Sequence, residues 1–141
     1  MVGPTKRYRL ADTAQQVVGG FLLAGPFVVT EEVWTLAADM SQLHLLLTVG
    51  IVFAIGYGAL YQADNGRDPD AEAEVAGVPL RFVSLMGVSF GSVALLALVF
   101  GAPSTFVDGG SFAERAAVSA RAVSVGAVFS VVGAATADSV F

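Results

Sequence analysis

Four apolar runs set the limits on what this chain can fold into. They cover about 15–36, 43–61, 82–100 and 116–137, and each is close to the roughly 20 residues that a helix needs to cross a membrane. A segment inside lipid must satisfy its own backbone hydrogen bonds, which a helix does and an open sheet edge does not. With 55% hydrophobic and only 13% charged residues, the chain predicts one transmembrane domain over 1–141. The predicted fold class is an all-α membrane protein, a bundle of four transmembrane helices in the cell membrane.

The distribution of basic residues predicts the orientation of the bundle. Five lysines and arginines fall in the leader or around the acidic loop 62–80, namely Lys6, Arg7, Arg9, Arg67 and Arg81. The opposite side carries Arg115 at most. Because cytoplasmic loops are enriched in Lys and Arg, both termini and the acidic loop are predicted to be cytoplasmic, N-in and C-in.

The composition excludes several classes of function. A net charge of −5 leaves no basic stripe for nucleic acid, and the excess of acid is typical of halophilic proteins. The chain has no cysteine and a single histidine, so thiolate metal sites and bis-histidine haem are excluded. The only lysine, Lys6, precedes the spans, which excludes a retinal Schiff base inside the bundle. We therefore expect no cofactor, no metal site and no catalytic residues.

The first span contains the residues that most suggest function. Its uninterrupted apolar part is too short to cross a bilayer, so the span must include Glu31 and Glu32 at its outer end. Pro26 predicts a kink, because it cannot donate a backbone hydrogen bond. Trp34 is predicted to lie in the interfacial belt. Gln15 and Gln16 make the inner end of the span polar.

The predicted topology brings five ionisable side chains into one layer of the outer leaflet. They end span 1, begin span 2 and begin span 4: Glu31, Glu32, His44, Arg115 and Arg121. Ionisable residues inside a membrane are candidates for function, so this layer is our candidate polar site. The alternative is structural, with a Glu–Arg pair that fixes helix packing or side chains that reach the headgroups.

Small residues recur at helical spacing on the last three spans and predict seams for helix packing. The predicted packing residues are Gly50, Ala54, Gly58, Gly87, Gly91, Gly126 and Ser130. Asp138 continues the face of Gly126 and Ser130. Four short spans enclose little interior, so this surplus of packing surface predicts a homo-oligomer within the lipid bilayer.

The end of the first span also carries a resemblance. At Gly25-Pro26 and Thr30-x-Glu32-x-Trp34 the chain resembles an uncharacterised family of integral membrane proteins of bacteria and haloarchaea, a domain of unknown function. The family pattern has a spacer between the glycine and the proline and a methionine where Glu31 stands. The resemblance implies the membrane fold and singles out Glu32, and it implies no activity, cofactor or substrate.

Two functions remain open. The first is a small cation or proton transport or channel component that uses Glu32 and Arg121, because a carboxylate in a span binds cations. The second is a non-catalytic structural or accessory subunit, with the acidic loop as a docking surface. A membrane enzyme ranks third, since the sequence lacks the nucleophile, zinc and phosphate-loop motifs, and we expect that the protein is not an enzyme.

Overall fold

The computed structural model describes residues 10–62, 74–75, 77–107 and 109–140. This part of the chain contains six α-helices in the order α1 Leu10–Val28, α2 Glu31–Asp39, α3 Gln42–Tyr57, α4 Leu80–Val99, α5 Ala102–Phe106 and α6 Phe112–Val140. A π-helical turn, Gly58–Gln62, continues α3. Two short antiparallel strands, β1 Glu74–Val75 and β2 Val78–Pro79, precede α4. The basic leader and residues 63–73 of the acidic loop lie outside the described residues, so the orientation stays a prediction.

The apolar runs form the predicted helices. In the part of the chain that the structure describes, three helices are long and apolar enough to cross a membrane, Gln42–Tyr61, Leu80–Val99 and Phe112–Ser139. The predicted first span, 15–36, is divided into α1 and α2, which meet at an angle of 80° and together form a fourth candidate span. The predicted all-α membrane fold is therefore confirmed, and the helices are consistent with the predicted bundle of four spans when the bent pair of α1 and α2 counts as one span.

Helix α6 lies at the centre of the bundle. It packs most extensively along α1 and also contacts α4, α3 and α2, whereas α3 packs mainly on α6. The buried apolar side chains form two clusters, and α6 contributes to both of them. Ala127 and Val131 belong to one cluster, and Ala122 belongs to the other. Helices α1, α4 and α6 therefore form the interior, and α3 covers one side of it.

The break between α1 and α2 is held by side chains that follow it. Val29 and Thr30 separate the two helices. The Thr30 hydroxyl donates to the Phe27 carbonyl at 2.9 Å, and Trp34 Nε1 donates to the Val28 carbonyl at 2.9 Å. Both bonds satisfy carbonyls at the end of α1 that have no partner within the helix. The bend therefore lies just after Pro26, at the point where Thr30 and Trp34 supply the missing donors.

Trp34 lies in the core and not in the predicted interfacial belt. It is 1% exposed, and its ring stacks on Phe106 with ring centroids 5.9 Å apart. The indole faces inward because the 80° bend folds α2 back against α6 and α5. In the Thr30-x-Glu32-x-Trp34 motif, the first and last residues therefore have a structural role, because both hold the bend between α1 and α2.

Replacing Trp34 with phenylalanine tests this explanation. The aromatic ring is kept, but the Val28 carbonyl loses its donor while it stays buried, which should lower the free energy of unfolding by about 1–2 kcal/mol. Unfolding in mixed micelles of detergent and SDS measures the effect. The exposed Leu36→Phe variant of the same helix is the control and should change stability little; equal stability of Trp34→Phe and the parent would contradict the explanation.

The predicted packing seams divide into two groups. Gly126 and Ser130 pack inside the bundle, and a Cβ at Gly126 would lie 2.7 Å from Val93 Cγ1. The structure differs from the prediction at the other positions, because a Cβ at Gly50, Gly58, Gly87 or Gly91 would meet nothing within 4 Å, and Ala54 is exposed. Spacing defines a helix face but not its partner, and these faces point away from the described bundle.

Helices α1 and α6 approach each other closely through Gly19 and Gly133. A Cβ at Gly19 of α1 would collide with the backbone carbonyl of Gly133 in α6, and one at Gly133 would collide with the carbonyl of Gly19. On α3, Gly56 rather than Gly58 faces the core, where a Cβ would lie 2.5 Å from Met86 Cε. The close packing of the bundle therefore depends on glycines of α1, α3 and α6.

Candidate functional site

A buried ionic cluster joins three helices at one end of the bundle. Arg81, in the first turn of α4, is 1% exposed. Its Nη1 donates to Asp138 Oδ1 at 2.8 Å, and its Nη2 lies 3.2 Å from Asp12 Oδ2. Asp12 belongs to the first turn of α1 and Asp138 to the last turn of α6. One guanidinium is thus held between two carboxylates from different helices.

Neutral polar groups extend this cluster into the bundle. Gln16 Nε2 donates to the second oxygen of Asp138 at 3.1 Å, and Ser84 Oγ donates to Gln16 Oε1 at 2.7 Å. The hydroxyls of Thr13 and Ser84 lie 2.9 Å apart. We call Asp12, Thr13, Gln16, Arg81, Ser84 and Asp138 the three-helix polar cluster.

Helical spacing explains why these residues meet. Asp12 and Gln16 are four residues apart on α1, and Arg81 and Ser84 are three apart on α4, so each pair shares one helix face. Helices α1 and α4 both start at the end of the bundle where α6 finishes. The antiparallel packing of α6 therefore brings Asp138 beside both pairs.

Further hydroxyls line the same interface deeper in the bundle. Ser130 Oγ donates to the Gly20 carbonyl at 3.2 Å. A Cβ at Gly20 would lie 3.1 Å from the hydroxyls of both Ser130 and Ser92, so all three residues face one another. Ser92 follows Ser84 by two helical turns, about 12 Å. Polar side chains of α1, α4 and α6 therefore continue from the three-helix polar cluster toward the middle of the bundle.

The residues of the predicted outer site do not come together as those of the three-helix polar cluster do. Glu31 and Glu32 are exposed in the first turn of α2, where the helix dipole favours negative charge. Arg121 Nε donates to the Ala37 carbonyl at 2.8 Å and so satisfies the end of α2. Within the described ranges no salt bridge joins Arg121 to either glutamate. The physical reason is position along the helix: Arg121 meets α2 at Ala37, near its C-terminal end, whereas Glu31 and Glu32 lie in its first turn, about 8 Å away along the helix axis.

The two other predicted site residues lie apart from each other. His44 Nδ1 accepts from the Ser41 backbone at 3.1 Å while the Ser41 hydroxyl accepts from the His44 backbone, a capping box at the start of α3. His44 also lines an apolar groove of about 470 Å³ between α2, α3 and α6. Arg115 lines a different groove, between α4, α5 and α6. The five predicted residues therefore do not form one constellation.

The sequence contains signals for the three-helix polar cluster. Gln16 is a visible polar group in the first span, and Asp138 continues the small-residue face of α6. Arg81 contributes only to the predicted orientation, because it lies at the edge of an apolar run and resembles a loop charge. The described residues contain no group of three or more His, Asp or Glu side chains arranged for a metal ion. The three-helix polar cluster consists of ion pairs with amide and hydroxyl partners.

Comparison with known proteins identifies the family. A family model described as "Putative integral membrane protein (DUF2391)" matches residues 4–137. No curated protein and no solved structure matches the chain. The match includes the bend after Pro26 and every residue of the three-helix polar cluster except Asp138, which follows the matched range directly. The chain is a member of this family of integral membrane proteins.

Proposed function

We propose that this protein is a small component of proton or cation transport across the cell membrane, and that the three-helix polar cluster is its ion-binding or proton-binding element. One observation supports the proposal most. In a chain that is 55% hydrophobic, two carboxylates and a guanidinium from three helices share a buried site. Buried ionisable groups within membrane bundles are costly and mark ion pathways and proton relays.

The surroundings of the cluster support this role. A carboxylate that exchanges partners needs neighbours that both donate and accept hydrogen bonds, as hydroxyl and amide groups do. Gln16 and Ser84 supply such groups next to Asp138. Ser92 and Ser130 supply them farther along the interface. A proton or small cation that leaves Asp138 would meet polar atoms before it meets an apolar core.

The broken first span is a second supporting feature. Broken helices at membrane depth are typical of transporters, where they place helix ends beside a path and allow one half to move. Here α1 contributes Asp12 and Gln16 to the cluster, and its far end is held by Thr30 and Trp34. A change at the bend would therefore alter the position of α1 at the cluster.

Flux through proteoliposomes tests the proposal. The purified chain is reconstituted in vesicles with a trapped pH indicator, and a proton or cation gradient is imposed. Asp138→Asn keeps the shape of the side chain but cannot exchange a proton, and we expect it to reduce flux to the level of empty vesicles. Glu32→Gln makes the same chemical change at an exposed carboxylate and should leave flux as in the parent.

Two results would contradict the proposal. One is a parent protein whose vesicles are no more permeable than empty ones to protons, Na⁺ and K⁺. The other is unchanged flux in an Asp138→Asn variant whose unfolding curve shows that the bundle is intact. Reduced flux in Glu32→Gln alone would transfer the role to the outer residues that the sequence singles out.

A second candidate is a non-catalytic structural or accessory subunit. The open space around Gly50, Gly58, Gly87 and Gly91 favours it, because small residues on a membrane helix allow another helix to approach closely. A second copy of this chain is the simplest occupant, as a homo-oligomer. A detergent-corrected mass of a monomer under mild extraction would count against that oligomer. Neither candidate is an enzyme, and the acidic composition continues to favour a salt-rich environment.

A further inference from the structure

Arg115 occupies an unusual position at the end of the bundle opposite the three-helix polar cluster. It lies near the start of α6, whose first residue is Phe112. Its Nε is buried and, among the described residues, has no hydrogen-bond partner. A guanidinium is always charged and has five N–H donors and no acceptor. A buried donor without an acceptor is costly, so this position favours a ligand that supplies negatively charged oxygen.

The groove beside Arg115 determines what else that ligand must contain. It has a volume of about 540 Å³ and lies between α4, α5 and α6, within the roughly 300–1,000 Å³ range of small-molecule sites. Apart from Arg115 and Ser119, its lining is apolar. Four of the lining residues are alanines, and Leu98 and Phe112 in the same lining are 71% and 87% exposed. The groove is therefore suited to a hydrocarbon chain that enters from the lipid.

No carboxylate of the described residues neutralises Arg115. Glu114 precedes it, but helix geometry rotates consecutive side chains by about 100°. Glu114 Oε2 lies 2.7 Å from the position of a Cβ at Gly110, so the carboxylate points back toward the loop. Among the described residues nothing compensates the positive charge of Arg115, and this favours a ligand that supplies the negative charge.

We infer that this groove binds a phospholipid with a net negative headgroup, with one acyl chain between α4 and α6 and the phosphate on Arg115. Phosphate oxygens fit the paired N–H donors of a guanidinium, and an alkyl chain fits the apolar lining. The charge at the groove favours an anionic lipid over a zwitterionic one. This site is independent of the proposed transport role, because it shares no residue with the three-helix polar cluster.

Native mass spectrometry of the full chain in a mild detergent tests the inference. The protein is titrated with phosphatidylglycerol and, separately, with phosphatidylcholine of the same acyl chains. We expect the parent to bind phosphatidylglycerol preferentially and Arg115→Gln to weaken that binding about fivefold, the factor for one arginine at an anionic membrane surface. Phosphatidylcholine binding should change little. Arg115→Lys keeps the charge and should keep the preference.

Two further variants separate the groove from the charge. Ala120→Phe fills the groove and should weaken binding of both lipids, whereas Ala54→Phe, at an exposed alanine of α3 outside the groove, should weaken neither. Glycerol phosphate, which has the headgroup chemistry without chains, should not bind. Undiminished phosphatidylglycerol binding by Arg115→Gln, by Ala120→Phe or by both would overturn the site, and so would tight binding of glycerol phosphate. If Arg115→Gln fails to fold, loss of the lipid preference in Arg115→Lys would overturn it as well.

Discussion

Replacing Arg81 with methionine is expected to lower the free energy of unfolding of the bundle by about 3–5 kcal/mol. The methionine fills similar space, but the substitution removes the guanidinium that lies between Asp12 and Asp138. Two carboxylates then face each other in a buried site without the cation that separates them. Removal of one partner from a buried ion pair costs more than the pair itself contributes, because the remaining charge is left uncompensated. SDS titration in mixed micelles measures the loss.

A double-mutant cycle shows whether the cost comes from the pair. Asp138→Leu alone should also destabilise the bundle, since it removes the acceptor for Arg81 Nη1 and Gln16 Nε2. The Arg81→Met/Asp138→Leu double variant should lose clearly less stability than the sum of the two single losses, because residues in direct contact couple. Losses that simply add would mean that Arg81 and Asp138 do not interact, and they would remove the basis of the three-helix polar cluster.

Substitution of Gly19 with valine should have the second large effect. The side chain of any residue other than glycine would collide with the carbonyl of Gly133, which is backbone and cannot rotate away. Helix α1 must then move from α6, and the contact between these two helices is the most extensive in the bundle. We expect a loss of about 3 kcal/mol, at the upper end of the usual cost of overpacking.

Gly91→Val is the matched control for that experiment. The same change is made inside a transmembrane helix, but at a position where a Cβ meets nothing within 4 Å. Its effect on the stability of the monomer should be small. If Gly91→Val instead lowers the mass of the solubilised particle, the open face of α4 is an oligomer contact. If Gly19→Val is as stable as Gly91→Val, α1 and α6 do not pack as described.

Hydropathy was sufficient to predict the bundle, because the length and apolar character of a span are local properties. The break in the first span was only partly predictable. Pro26 indicated a weak point, but the 80° turn depends on the bond from Trp34 to Val28 and on packing of Trp34 against Phe106. Those contacts are tertiary, and the same tryptophan in a straight span would have reached the interface as predicted.

The three-helix polar cluster could not be predicted from one span at a time. Arg81 is buried because it pairs with two residues that are distant in the sequence. Asp138 lies 57 positions later, and Asp12 lies on α1. Seen alone, it is a basic residue beside a loop. The periodic small residues were ambiguous for a related reason. Gly126 lies against Val93 while Gly91 faces open space, and nothing in the spacing distinguishes an internal face from an external one.

The central claim is that α1 and α4 meet through polar side chains at the end of the bundle where α6 finishes. Disulfide crosslinking in native membranes tests it most directly, since the chain has no cysteine of its own. The hydroxyls of Thr13 and Ser84 lie 2.9 Å apart, so the Thr13→Cys/Ser84→Cys variant should form an internal disulfide rapidly under mild oxidation. Either cysteine alone should give no such product. Failure of the double variant to crosslink beyond the single ones, in membranes that retain folded protein, would contradict the fold and the site together.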